Sequence, residues 1–88
     1  MKVRVEKLSD EKLDKLGVKE WGIWEKEKSE FPWEYDIKET CYLLEGDVEV
    51  ETPEGNVHFG AGDLVTFEKG LKCKWKINKD VRKHYKMG

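Results

Sequence analysis

From residue 39 to the C-terminus, apolar and polar positions alternate in short runs broken by Gly, Pro, Asn and Asp. Val48-Glu49-Val50-Glu51 and Cys73-Lys74-Trp75-Lys76-Ile77 put every second side chain on one face, the pattern of a strand buried on one side only. Cys41-Tyr42-Leu43-Leu44 is apolar on both faces, as in a strand held between two layers. Glu45-Gly46-Asp47 reads as a turn and Val48 to Thr52 as the next strand. Pro53-Glu54-Gly55-Asn56 reads as a tight hairpin connection, since Gly supplies the positive φ such a turn needs. Val57-His58-Phe59 follows, then Gly60-Ala61-Gly62-Asp63 as a further turn. Leu64 to Phe67, Lys72 to Ile77 and Val81 to Tyr85 complete the series. Short strands at a spacing of about 8–12 residues predict an all-β sandwich or closed barrel.

The first third is different. Ser9-Asp10-Glu11-Lys12 supplies an N-cap with acidic residues in the first turn. Leu13 and Leu16 share a face and Gly17 suits a C-cap, so a helix of about two turns is predicted. Trp21, Ile23 and Trp24 precede a charged stretch from Glu25 to Glu30. Phe31-Pro32-Trp33-Glu34-Tyr35 is aromatic at alternate positions and therefore extended. The resulting division is one domain over 1–88, with helix and lead-in over 1–30 and a β-barrel core over 31–88.

Composition narrows the class. A charged fraction of 41% would suit disorder, but ten aromatics in 88 residues give the chain large side chains to bury. Lys and Glu dominate the polar set, a thermophile-like or designed-looking bias. The charge is segregated: −1 over residues 1–38, −8 over 39–68 and +7 over 69–88, for a net charge of −2. A near-neutral total argues against a nucleic-acid partner. The basic tail alternates Lys with apolar residues, so it reads as the charged outer face of a strand whose lysines pair with glutamates across a sheet. No apolar run reaches the roughly 20 residues that cross a bilayer, and the N-terminus lacks a signal-peptide core. Two cysteines make no disulfide framework. A cytoplasmic domain without a membrane partner is expected.

The order of turns is more specific than the class. Leu44-Glu45-Gly46-Asp47-Val48-Glu49-Val50 followed by Gly60-Ala61-Gly62-Asp63-Leu64-Val65 resembles the cupin superfamily. Glu39 and Gly46 match the Glu–Gly spacing of its first motif. Gly62 and Gly70 match the second, with Glu68 where that motif has Pro. The Trp-rich lead-in and the ending Val81-Arg82-Lys83-His84-Tyr85 are similar to small cupins of the ureidoglycine aminohydrolase and ethanolamine-utilisation types. The resemblance implies a double-stranded β-helix, a jelly-roll barrel of two antiparallel sheets with a short N-terminal helix. It also implies a divalent ion held by three His and one Glu, and here the chain departs from the family. The His positions of the first motif fall on Trp33 and Tyr35, or on Pro32 and Glu34 with a longer gap, and that of the second falls on Cys73. Only Glu39 is retained in kind, so no metal and no other cofactor are expected.

Candidate chemistry then centres on the barrel interior. Glu39 shares a face with Cys41 and Leu43. It is either a carboxylate inside an apolar cavity, suited to acid/base work or ligand orientation, or a group at the mouth paired with a Lys. Cys73 is a candidate thiolate or soft ligand, against the alternative of a small buried hydrophobe. Cys41 is the same case. Tyr35 is an auxiliary polar group, and Trp33, Tyr35 and Trp75 are candidate walls around a small ligand. The competing reading makes these aromatics core. His58 is expected in solvent, and nothing in the spacing makes either His58 or His84 half of a catalytic pair. The catalytic candidates are therefore Glu39, Cys73 and Tyr35, and the ligand-binding candidates Trp33, Tyr35, Glu39, Cys41 and Trp75. The expected function is binding or transformation of a small polar metabolite in the barrel, and the resemblance to the ureidoglycine aminohydrolase and ethanolamine-utilisation cupins implies a nitrogenous one. The alternative is a non-catalytic degenerate cupin acting as a structural or partner-binding module. A homodimer is as compatible with the sequence as a monomer.

Overall fold

The computed structural model describes residues 2–88. Along them run β1 (Val3–Glu6), α1 (Asp10–Leu16), a 3-10 turn (Val18–Glu20), β2 (Gly22–Lys26), β3 (Ser29–Glu34), β4 (Glu39–Thr52), β5 (Gly55–Gly60), β6 (Leu64–Phe67) and β7 (Lys72–Met87). β4 and β7 organise the rest. They pair antiparallel along their length, from Glu39 opposite Met87 to Glu51 opposite Lys74. On its other side the first part of β4 pairs with β6 and the second with β5. β7 likewise pairs with β3 through its first part and with β2 through its second. Each long strand thus passes from one sheet into the other, giving β1-β6-β4-β7-β2 as one layer and β5-β4-β7-β3 as the facing one. Trp75 of the second layer meets Phe67 and Trp24 of the first at ring-centroid distances of 5.7 Å and 6.0 Å. This is the expected jelly roll of two antiparallel sheets.

The bend that lets one strand serve two sheets lies where a turn was expected. The sequence reading ends a strand at Leu44 and starts another at Val48, whereas β4 runs through. Its register against β7 slips between Leu43 and Val48, and such bulges bend and twist a strand without ending it. Gly46 makes the bend possible. Its φ is 129°, and a Cβ there would lie 2.8 Å from Val81 Cγ2. β7 is also one strand, where the pattern suggested a break after Ile77. The lead-in is a further correction. Residues 3–26 supply β1, which pairs with β6, and β2, which pairs with β7, so the expected boundary at residue 30 does not separate lead-in from barrel.

The helix forms as read. Ser9 Oγ accepts a hydrogen bond from Lys12 N at 3.3 Å, and Gly17 closes the helix at φ 73°. Leu13 is buried against Val18 and Leu64, while Leu16 is exposed, so one turn of the apolar face does the packing. No helix among the described residues is long and apolar enough to cross a membrane. The lysine stripe of the tail is flanked by carboxylates on both sides. Lys72 lies opposite Glu34, Lys74 opposite Glu51, and Lys76 opposite both Glu30 and Glu49. Lys76 Nζ reaches Glu51 at 2.7 Å and Glu30 at 4.0 Å. The segregated charge of the sequence is thereby interleaved in space, at roughly a few tenths of a kcal/mol per cross-strand pair.

Candidate functional site

Inside the barrel lies a cavity of about 240 Å³. Strand alternation builds its walls. β3 points Phe31 and Trp33 inward and delivers Tyr35 just beyond its end, and β7 contributes Trp75 and Tyr85. Trp24 on β2 and Met87 at the end of β7 complete the apolar lining, and Glu39 and Lys83 supply the polar groups. Phe31 stacks on Trp75 with centroids 6.0 Å apart and planes 16° from parallel. Tyr35 stacks on Phe67 at 4.7 Å, and its hydroxyl accepts a hydrogen bond from Trp75 Nε1 at 3.2 Å. Trp75 and Tyr35 are therefore core and cavity wall at once. Trp33, 51% exposed, stands at the opening.

Lys83 Nζ donates to Glu39 Oε2 at 2.6 Å, and the two residues are only 5% and 6% exposed. Glu39 opens β4 and Lys83 lies opposite Leu43 and Trp24. That register sets the Lys83 ammonium 4.8 Å from the Trp24 ring centroid and 4.9 Å from that of Trp75. A cation over two indole faces is attracted by their quadrupoles, the more so when desolvated. Both alternatives for Glu39 are thus partly realised: the carboxylate is inside the barrel, and it is paired with a Lys.

Of the residues singled out by sequence, the structure gathers Trp33, Tyr35, Glu39 and Trp75 around the cavity and leaves Cys41 and Cys73 out of its lining. Cys41 is wholly buried in the core, and Cys73 is half-buried opposite Trp33. Both thiols are free. Burial pushes the Cys41 thiol up to about 12, the nearby Lys83 charge offsetting part of the rise. Burial likewise pushes Cys73 up to about 11. Burial thus disfavours the thiolate at both positions, and neither Cys73, the catalytic candidate, nor Cys41, the ligand-binding candidate, lines the cavity. Native protein titrated with a disulfide reagent at pH 7–8 should therefore react slowly at Cys73, faster only as pH approaches 11, and at Cys41 only on unfolding. Rapid labelling of Cys73 at neutral pH would contradict this environment. Burial, with the Glu39 charge nearby, also holds the Tyr35 phenol far above its ordinary range, so it remains protonated.

The alternation Val81-Lys83-Tyr85 puts a lysine between two inward-facing apolar residues. That signal could have identified Lys83, which the sequence reading passed over along with Trp24 as a wall. His58 is exposed and hydrogen-bonded to Asp47, as expected of a solvent-facing residue. His84 Nδ1 lies 3.3 Å from the Trp21 carbonyl oxygen, and neither imidazole lines the cavity.

The residues also match a family model, that of the EutQ-like cupin domain, over residues 13–85. The chain belongs to this cupin family. A crystal structure of a DUF861 family protein from Thermotoga maritima is 56% identical, covering 98% of this chain and 99% of that one, with a TM-score of 0.95. A DUF861 protein of unknown function from Pseudomonas syringae is 30% identical over 76% of this cupin and 29% of its own chain, with a TM-score of 0.69. The EutQ protein of Clostridium difficile, 20% identical over 97% of this cupin and 66% of its own chain, has the same fold at a TM-score of 0.69. The comparison with curated proteins gave no match.

The divalent ion implied by cupin membership does not fit this donor set. Of the family's ligand positions, Trp33 offers no lone pair to an ion, Tyr35 is a phenol already bonded to Trp75, and Cys73 lies outside the cavity lining. Glu39 carries an ammonium where an ion would have to sit. Among the described residues no three His, Cys, Asp or Glu side chains converge on one point. The positive charge of this barrel is Lys83.

Proposed function

We propose that this cupin binds a small, planar, uncharged organic molecule through one amide- or urea-like group. The reading is carried by the Glu39–Lys83 pair at 2.6 Å, facing an aromatic cavity. The charges of the pair cancel, so an ionic ligand would lose its hydration without compensation. A neutral group presenting an acceptor beside a donor loses less: its carbonyl accepts from the Lys83 ammonium and its N–H donates to the Glu39 carboxylate. Both contacts are charge-assisted, the stronger kind of hydrogen bond. The rings of Phe31, Trp33 and Trp75 suit a flat body, and about 240 Å³ suits a metabolite-sized ligand rather than a chain or polymer. The nitrogenous metabolites implied by the family resemblance carry groups of this kind.

The test is titration of isotope-labelled protein with benzamide, following the four indole N–H resonances. Trp24, Trp33 and Trp75 should shift while Trp21, outside the cavity, stays still. A Glu39→Leu/Lys83→Met double variant should lose the response. Unmoved indoles at saturating benzamide would leave the barrel as a partner-binding or scaffold module instead.

A further inference from the structure

We infer that Lys83 is a nucleophilic amine that captures small aldehydes or ketones as an imine in the same cavity. The inference rests on the binding reading above, with a carbonyl carbon in place of the amide. Four observations converge on Lys83 Nζ. It lines the cavity, so a bound carbonyl can reach it. It is nearly inaccessible from bulk water. It has a carboxylate at 2.6 Å, close enough to take and return a proton. It also lies under two indole faces, which favour a cation at that place whether it is the starting ammonium or the protonated imine. A buried ion pair is seldom retained for stability, since hydrocarbon of the same volume does as well or better.

The chemistry balances within the pair. The ammonium gives one proton to Glu39 Oε2, and the free amine adds to the carbonyl carbon to form a carbinolamine. The new hydroxyl leaves as water with the proton returned from Glu39, and the nitrogen lone pair forms the C=N bond. The products are one protonated imine, paired with the regenerated Glu39 carboxylate, and one water, with no oxidant or reductant required. Glu39 is the proton carrier and Lys83 the nucleophile. Trp24 and Trp75 wall the nitrogen from solvent that would hydrolyse the adduct.

Benzaldehyde and benzamide make a matched pair of probes, alike in shape, only the first able to form an imine. Protein is treated with benzaldehyde and cyanoborohydride at neutral pH, then peptide-mapped for benzylated lysines. Lys83 should be modified about tenfold or more faster than the exposed lysines, as positioning beside a bound carbonyl allows. Glu39→Gln should slow Lys83 while leaving the exposed lysines unchanged, a split that a merely structural role for Glu39 would not produce. Modification of Lys83 no faster than the exposed lysines, in protein whose cavity indoles respond to benzamide, overturns the imine inference and leaves the binding reading standing. Indoles that ignore both probes, with no selective adduct, overturn both.

Discussion

Replacing Trp75 with alanine is expected to destabilise the protein by about 3–5 kcal/mol, the range for large aromatic truncations in a core. Four rings touch this indole: Phe31 stacks on it, and Trp24, Phe59 and Phe67 meet it from other directions, all with centroids within 6.0 Å. These contacts come from both layers, so collapse to fill the space would require the two sheets to move together. Truncation also strips the Tyr35 hydroxyl of the Trp75 N–H that it accepts, and a buried polar group left without its partner costs about 1–3 kcal/mol. The void would merge with the existing cavity and admit water, which lessens the second cost but not the first. Trp75→Phe separates the terms, since it keeps a ring between the layers and removes only the N–H donor. Urea denaturation followed by far-ultraviolet circular dichroism is the measurement. A loss below about 1 kcal/mol for Trp75→Ala would place the indole outside the core.

Trp75 also marks what could be read from sequence and what could not. Its strand, face and neighbours follow from alternation, because period two admits only two faces and Lys74 and Lys76 claim the outer one. The same logic put Glu39 on one face with Cys41 and Leu43 and His58 in solvent. Local pattern failed where the answer depended on a partner strand. Glu45-Gly46-Asp47 has turn chemistry, yet the unbroken pairing with β7 makes it a bulge. Val3 to Glu6 is too short and charged to announce a strand until Leu64–Phe67 offers it an edge. Lys83 is the instructive omission. Alternation puts Lys83 with Val81 and Tyr85, but a lysine in a basic tail reads as surface until the register sets it opposite Trp24 and close to Glu39. Cys73 failed in the opposite sense. Its motif position suggested a ligand, but the cavity is lined by Trp33 and Tyr35 and not by the thiol, which packs against the core.

The cavity therefore keeps the Glu39 carboxylate that the cupin resemblance implies and faces it with an ammonium in place of the implied ion. An ion bound by several ligands adds stability through each of them, whereas the ammonium here is covalently tethered and desolvated for one ion pair and two ring contacts. The pair makes the fold sensitive to losing either partner and tolerant of losing both.

That asymmetry gives the second large effect. Lys83→Met is expected to cost about 3–5 kcal/mol at neutral pH, because it leaves the Glu39 carboxylate buried without a counter-charge. Glu39→Gln should cost less, about 1.5–3 kcal/mol, since the amide oxygen still accepts from the ammonium and the indole faces still hold it. The double variant Glu39→Leu/Lys83→Met should lose less than Lys83→Met alone, as pairs replaced by hydrocarbon generally do. Urea midpoints for the three proteins at pH 7 decide the cause. A Lys83→Met deficit matched by the double variant would mean that the lysine stem, packed beneath Trp24, stabilises the barrel and that its charge does not.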